Sequence, residues 1–201
     1  LCDGIADLSK DAASVLSLLG DHQQFIETKK LYAREMTTGF IRLNGMVVGC
    51  VANRSLSGEE VMTSALTAAG AKKAASFIKY CDAFHIPVLT LCNVSGFDSS
   101  FEAESTFGDS CAAMITAYAS ATVPTVTIVL DEAMGSAGTA MGSKSLGVDL
   151  LYAWENAKIG PMDSLQAARI LHEGEPASIV RQKAEEYEKL QNSAVSAAPR
   201  S

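Results

Sequence analysis

The sequence predicts a single α/β domain on a mostly parallel sheet, and three observations carry that prediction. Short apolar runs rich in Val, Ile, Leu and Thr alternate with segments of helical periodicity, the pattern of buried strands joined by crossover helices. Asn44-Gly45 stands between two strand-like runs, the pair favoured at the centre of a type I′ hairpin turn. The 201 residues are 48% hydrophobic and 19% charged, enough apolar material for one ordinary core.

In chain order, "DLSKDAASVLSLLGDHQQFIE" places Val15, Leu16, Leu18 and Leu19 on one helical face, with Gly20 as its stop. Residues 39–43 and 46–53 read as the two strands of the hairpin. Ala74, Phe77, Ile78 and Cys81 recur at helical spacing, predicting a helix over 59–84, and "HIPVLTLCNV" follows as a buried strand. The order then repeats. "DSCAAMITAYASAT" reads as helix, "VPTVTIVL" as strand, "TAMGSKSLG" as a short helix and "VDLLYAW" as strand. "AKIGPM" adds a short strand before helices over 163–172 and 175–191, and the chain closes on the Ala/Ser-rich "NSAVSAAPRS".

A formal charge of −7 with no basic cluster argues against a nucleic-acid partner. Cys2, Cys50, Cys81, Cys92 and Cys111 show no CxxC and no metal-ligand spacing, so no metal site is expected and the thiols read as reduced core residues of a cytoplasmic protein. No apolar run approaches the roughly 18–20 residues that cross a bilayer, and no direct membrane insertion is expected.

In parallel α/β folds, chemistry gathers beyond the carboxyl ends of strands, where helix N-termini offer free amides. Two loops qualify, "NVSGFDSSFEAES" and "DEAMGSAGTA". A helix starting near Ala137 leaves the amides of Ser136 and Ala137 without intrahelical partners, which makes them candidate oxyanion donors. The competing reading is that Gly135, Ala137, Gly138 and Ala140 are small only so that this helix packs closely. A nucleophilic Ser136 is poorly supported, because Met134 stands where a nucleophile elbow needs glycine. His22 and His172 read as helix-end residues and His85 as a junction residue, not as its base. Asp98, Glu102 and Glu104 read as solvated or helix N-terminal charges. Met114, Met134, Met141 and Met162 read as core filler.

With the loops placed, the chain resembles the C-terminal domain of the carboxyltransferase subunits of biotin-dependent acyl-CoA carboxylases, transcarboxylases and sodium-pumping decarboxylases. The likeness runs in order through "FIETKKLYAREMTTGFIRLNGMVVGCVAN", "GAKKAASFIKYCDAFHIPVLTLCNVSGF" and "AYASATVPTVTIVLDEAMGSAGTAMGSKSLGVDLLYAW". It implies a crotonase-like spiral of ββα units. It divides the chain into a leading helix and linker (1–37), a ββα core (38–172) and a C-terminal helical extension (173–201). The implied activity moves CO₂ between carboxybiotin and the α-carbon of a short acyl-CoA of propionyl/methylmalonyl, acetyl/malonyl or glutaconyl type. This chain resembles the biotin-side half, and the fragment alone is expected to be inactive.

By the same resemblance, the backbone amides of Ser136 and Ala137 form an oxyanion hole for the biotin ureido oxygen. Gly96, Phe97, Gly135, Gly138 and Thr139 are the expected biotin- and substrate-binding residues, with Thr139 at the position that senses acyl size. The implied partners are an N-terminal carboxyltransferase domain, a biotin carboxyl carrier protein, further copies in a homo-oligomer and, in the decarboxylase branch, membrane subunits. Biotin on its carrier is the implied cofactor and acyl-CoA the substrate.

Three departures stand out. The family's usual Gly-Gly-Ala is Gly135-Ser136-Ala137 here, and a positive φ at the middle position would strain the serine by about 1–3 kcal/mol. "VSGFDSS" lacks the two prolines usual in that loop. Asp163 replaces a common glycine and is expected to cap the next helix. The first two motivate an alternative, a non-catalytic crotonase-fold assembly module; a crotonase-fold serine hydrolase using Ser136 is a further reading.

Overall fold

The computed structural model describes residues 8–200; Cys2 and the side chain of Glu102 lie outside the description. Helix α1 (Ala12–Leu19) ends at Gly20 as expected, burying Val15 and Leu16 while Leu18 stays half exposed. The hairpin strands are β2 (Met36–Leu43) and β3 (Met46–Asn53), with Leu43 opposite Met46. Asn44 and Gly45 take φ of 52° and 82°, the two left-handed positions of a type I′ turn. Asp21 clamps that turn by accepting from the Asn44 and Gly45 amides at 3.0 and 2.7 Å.

Strand β1 (Phe25–Thr28) pairs antiparallel with β2, so the stretch read as a linker contributes a strand to the sheet. A two-residue hairpin, β4 (Leu56–Ser57) with β5 (Glu60–Val61), replaces the first turns of the helix expected from residue 59. Gly58 turns it with φ +60°, and α2 (Ala68–Ala83) begins only where Thr67 accepts from the Gly70 amide at 2.9 Å. Strand β6 (Val88–Val94) is buried along its whole length. The acidic part of the next loop is already helical, because α3 (Phe101–Ser120) starts at a Ser100 N-cap.

Strand β7 (Thr125–Met134) runs four residues beyond its expected end at Leu130. The extra residues pair with β9 (Lys158–Gly160), while the first half pairs with β8 (Leu150–Ala153). The sheet order is β1-β2-β3-β6-β7-β8, antiparallel through β3 and parallel beyond it. Helices α2 and α3 cover one face over a core including Ile78, Met114 and Met141, and α1 covers the other over Leu89 and Leu91. Met134 is also buried, whereas Met162 is 36% exposed and is not core filler.

After β7 comes α4 (Gly135–Ala140), and the expected short helix over "TAMGSKSLG" is instead the end of α4 followed by a 3₁₀ turn at Lys144–Leu146. Asp163 caps α5 (Ser164–Leu171), accepting from the Leu165 and Gln166 amides at 3.0 and 3.2 Å. Helix α6 (Ala177–Tyr187) packs Val180 and Ala184 on α5, then passes through a π turn (Glu188–Asn192) into α7 (Ala194–Ala197). No helix among the described residues is long and apolar enough to cross a membrane.

Candidate functional site

The run "MGSAGTAMGS" divides its small residues between two tasks. Gly135 takes φ +58°, a left-handed conformation that L side chains resist. That turn lets β7 become α4 with no intervening loop. A Cβ at Gly138 would lie 2.7 Å from the Ala133 carbonyl carbon, so this glycine allows the helix to fold back on its own strand. Ala137 and Ala140 are fully buried in the core. Ser136 and Thr139 face outward on the same helix. Ser136 is absent from the left-handed residues and lies within α4, so the strain that a serine would suffer in place of glycine does not arise.

The outward face of α4 opens onto a cavity of about 840 Å³. Gly135, Ser136, Gly138 and Thr139 form one wall, and Thr127, Val129 and Ala133 of β7 form the floor with Cys92. Tyr152 and Trp154 line it at the β8 end, and Ala194, Val195 and Ala197 of α7 line it as well. The first-turn amides of α4 lack intrahelical partners by the geometry of a helix start. Four of the expected site residues therefore meet at one cavity. The Ala137 side chain points into the core instead, leaving its backbone amide as what it can offer.

Gly96 and Phe97 are not among the residues lining this cavity. Gly96 accepts from the Leu66 amide at 2.8 Å, and Phe97 packs its ring on Phe107 with centroids 4.4 Å apart. They lie past the carboxyl end of β6, which is parallel to β7, and so at the same edge of the sheet as the start of α4.

Hydrogen-bonding groups line the cavity, Ser136, Thr139, Ser143 and Lys144 among them. None of His22, His85 and His172 lines it. Burial pushes the Cys92 thiol up to about 12, which keeps it protonated near neutrality. Among the described residues no three His, Cys, Asp or Glu side chains gather as a metal site. Glu132, just before the Gly135 turn, is half-buried; desolvation first and the neighbouring Asp131 second raise its carboxyl, against the opposing effect of Lys158. Thr127 Oγ1, Ser143 Oγ and Trp154 Nε1, all on cavity-lining residues, are buried without a protein partner among the described residues. Sequence reasoning passed over Trp154, Tyr152 and the α7 wall, since periodicity gave no sign of which strand residues meet the helix across the cavity.

A family model described as "Carboxyl transferase domain" matches residues 7–199. The propionyl-CoA carboxylase beta chain of Roseobacter denitrificans is 37% identical over 188 residues, covering 90% of this chain and 36% of that protein. The methylmalonyl-CoA carboxyltransferase 12S subunit of Propionibacterium freudenreichii subsp. shermanii is 36% identical over 199 residues, covering 94% of this chain and 37% of that one. A crystal structure of transcarboxylase 12S with methylmalonyl-coenzyme A bound superposes with a TM-score of 0.88 at 37% identity, over 94% of this chain and 37% of the other. The chain thus spans little more than a third of the length of the relatives it matches. It belongs to the carboxyl transferase domain family of the biotin-dependent acyl-CoA carboxylases, and its mixed sheet with helices on both faces is that family's crotonase-like fold.

Proposed function

We propose that this chain is the biotin-side half of an acyl-CoA carboxyltransferase that moves CO₂ between carboxybiotin and the α-carbon of a short acyl-CoA. The observation that carries the reading is the start of α4: Gly135 absorbs the left-handed turn, so Ser136 sits unstrained where its amide can serve at the edge of the 840 Å³ cavity. The names of the relatives, propionyl-CoA carboxylase and methylmalonyl-CoA carboxyltransferase, support the propionyl/methylmalonyl class as substrate. The reading includes an N-terminal acyl-CoA domain, a biotin carboxyl carrier protein and a homo-oligomeric assembly as partners.

The cavity suits an uncharged ureido ring. Val129, Ala133 and Ile159 offer apolar contact, and the unpartnered Trp154 Nε1 and Ser143 Oγ add hydrogen-bonding capacity beyond the helix amides. When bound, carboxybiotin supplies the CO₂, and its ring nitrogen supplies the site of proton exchange with the acyl α-carbon. The Ser136 and Ala137 amides hold the ureido oxygen as negative charge gathers on it, a contribution of about 3–4 kcal/mol per donor in comparable holes. Thr139 limits bulk at the helix face, and Gly96 and Phe97 shape the approach from the β6 side. No side-chain base is required, which fits a cavity lined by no histidine.

Joining this chain to its acyl-CoA-side domain tests the reading. Biotin-dependent decarboxylation or exchange of a malonyl-type CoA is the expected result. A folded, intact assembly inert toward every short acyl-CoA would overturn it.

A further inference from the structure

The chemistry proposed above gives no role to the cavity-lining residues Ala194, Val195, Ala197 and Ala198, its C-terminal wall. That wall is anchored more firmly than a four-residue helix requires. The chain leaves α geometry at Glu188 for a single π turn, a rare conformation concentrated at functional sites. The turn ends at Asn192, which is 1% exposed and donates Nδ2 to the Met162 carbonyl at 3.0 Å, while its Oδ1 has no protein partner among the described residues.

The strand beside it is cut to fit. A Cβ at Gly160 would overlap the Asn192 carboxamide, so only a bare backbone admits it there. Lys158 bridges to Ser193 through the backbone, and its Nζ reaches Glu188 Oε1 at 3.1 Å. Ser164 Oγ donates to Glu188 Oε2 at 3.2 Å, and Ser193 Oγ accepts from the Ser196 amide at 3.2 Å. Gly160 and Pro161 themselves line the cavity, and the Pro161 carbonyl lies against Gly135. The anchor of the wall is thus continuous with the turn that starts α4.

We propose that Asn192 is a positioning residue that sets this C-terminal wall, and that the wall, through Ala194 and Ala197, fixes the bulk of the ring admitted beside α4. The identity of that ring, an uncharged ureido bicycle, rests on the carboxyltransferase reading; the wall does not. Alanine at 194 and 197 leaves volume along the cavity that a larger side chain would fill. Removing the Asn192 carboxamide releases its hydrogen bond to the Met162 carbonyl.

Two measurements test this. Trp154 is the single tryptophan of the 201-residue chain and lines the cavity, so quenching of its fluorescence by acrylamide reports access past the wall. Asn192→Ala is expected to steepen the quenching slope and Ala197→Leu to flatten it, thermal melts confirming that each variant folds. Ala197→Leu decides the matter where Asn192→Ala does not fold. With the acyl-CoA-side domain joined, Ala197→Leu is expected to raise KM for free biotin about tenfold, with kcat and the acyl-CoA KM holding steady. Unchanged quenching in the folded variants overturns the wall, and altered quenching with an unchanged biotin KM overturns its role in specificity. Absence of all biotin-dependent turnover in the unsubstituted assembly overturns the carboxyltransferase reading, while the quenching comparison still decides the wall.

Discussion

Gly135 takes the left-handed φ at the start of α4, and Ser136 continues the helix. The left-handed turn falls on Gly135, where an added Cβ would also lie 3.1 Å from the Pro161 carbonyl oxygen. Gly135→Ala is therefore expected to cost about 1–2 kcal/mol in urea unfolding. Ser136→Gly should cost only about 0.5 kcal/mol, the helix-propensity difference, and Ser136→Ala should leave biotin-dependent turnover nearly intact, because the amide and not the hydroxyl carries the proposed role. A large loss on Ser136→Ala would show that the hydroxyl takes part in the reaction. The buried thiols add a pH dependence. Burial raises Cys81 and Cys92 from the usual 9.0 to about 12. The unfolded chain gives up these protons first, so the stability they support is complete below pH 9 and is lost as pH rises toward 12. Urea midpoints measured across that range should fall, and less steeply for Cys92→Ala.

Helices and strands are tied together by carboxylates at their ends. Asp82, at the end of α2, accepts from the Thr122 amide at 2.6 Å and from its hydroxyl at 2.9 Å, fastening α2 to the turn before β7. Asp149 does the same for the first residue of β7, accepting from the Thr125 amide at 2.8 Å. These backbone hydrogen bonds hold both carboxyls below the usual 3.8. A depressed folded value means that the stabilisation is present above pH 3.8 and is lost as pH falls through the folded value. Asp82→Ala should lower the thermal midpoint at pH 7, and the gap from the unsubstituted chain should close in acid; an equal gap at both pH values would show that the loss is one of packing.

The elements readable from sequence were those whose signal is local. The type I′ turn at Asn44-Gly45 and the short apolar runs of β3 and β6 are properties of short windows. β1 was not readable, because Phe25–Thr28 becomes a strand only through its pairing with β2. The end of β7 was hidden for the same reason: Asp131 and Glu132 break the apolar run, and β9, a distant partner, extends the strand. Lys73, a charged residue on α2, carries no local sign of burial. It is 1% exposed, donates to the Tyr32 and Ala33 carbonyls at 2.7 and 3.2 Å, and neighbours a buried Arg54–Glu27 pair at 3.2 Å. Of the site, the small-residue run was legible and the walls around it were not, since Trp154 and α7 come from parts of the chain with no spacing relation to Ser136.

At the scale of the whole molecule, the reaction proposed here develops negative charge in two places, on the ureido oxygen and on the thioester carbonyl. Each needs donors fixed before the reaction, since a loosely held dipole loses in reorganisation what it gains in attraction. The start of α4 provides one such set, at one cavity, in a chain that spans 37% of the 12S subunit it superposes on. The second set is assigned to the acyl-CoA-side domain. The isolated chain is accordingly expected to show no decarboxylation or exchange with any malonyl-type CoA, however high the biotin concentration. Supplying the acyl-CoA-side domain should restore turnover, and Gly135→Ala in that assembly should lower kcat more than it raises the acyl-CoA KM, because it displaces donors used in the transition state and not those that hold the thioester. Robust turnover by the isolated chain would place both sets of donors within these residues and remove the need for a second domain.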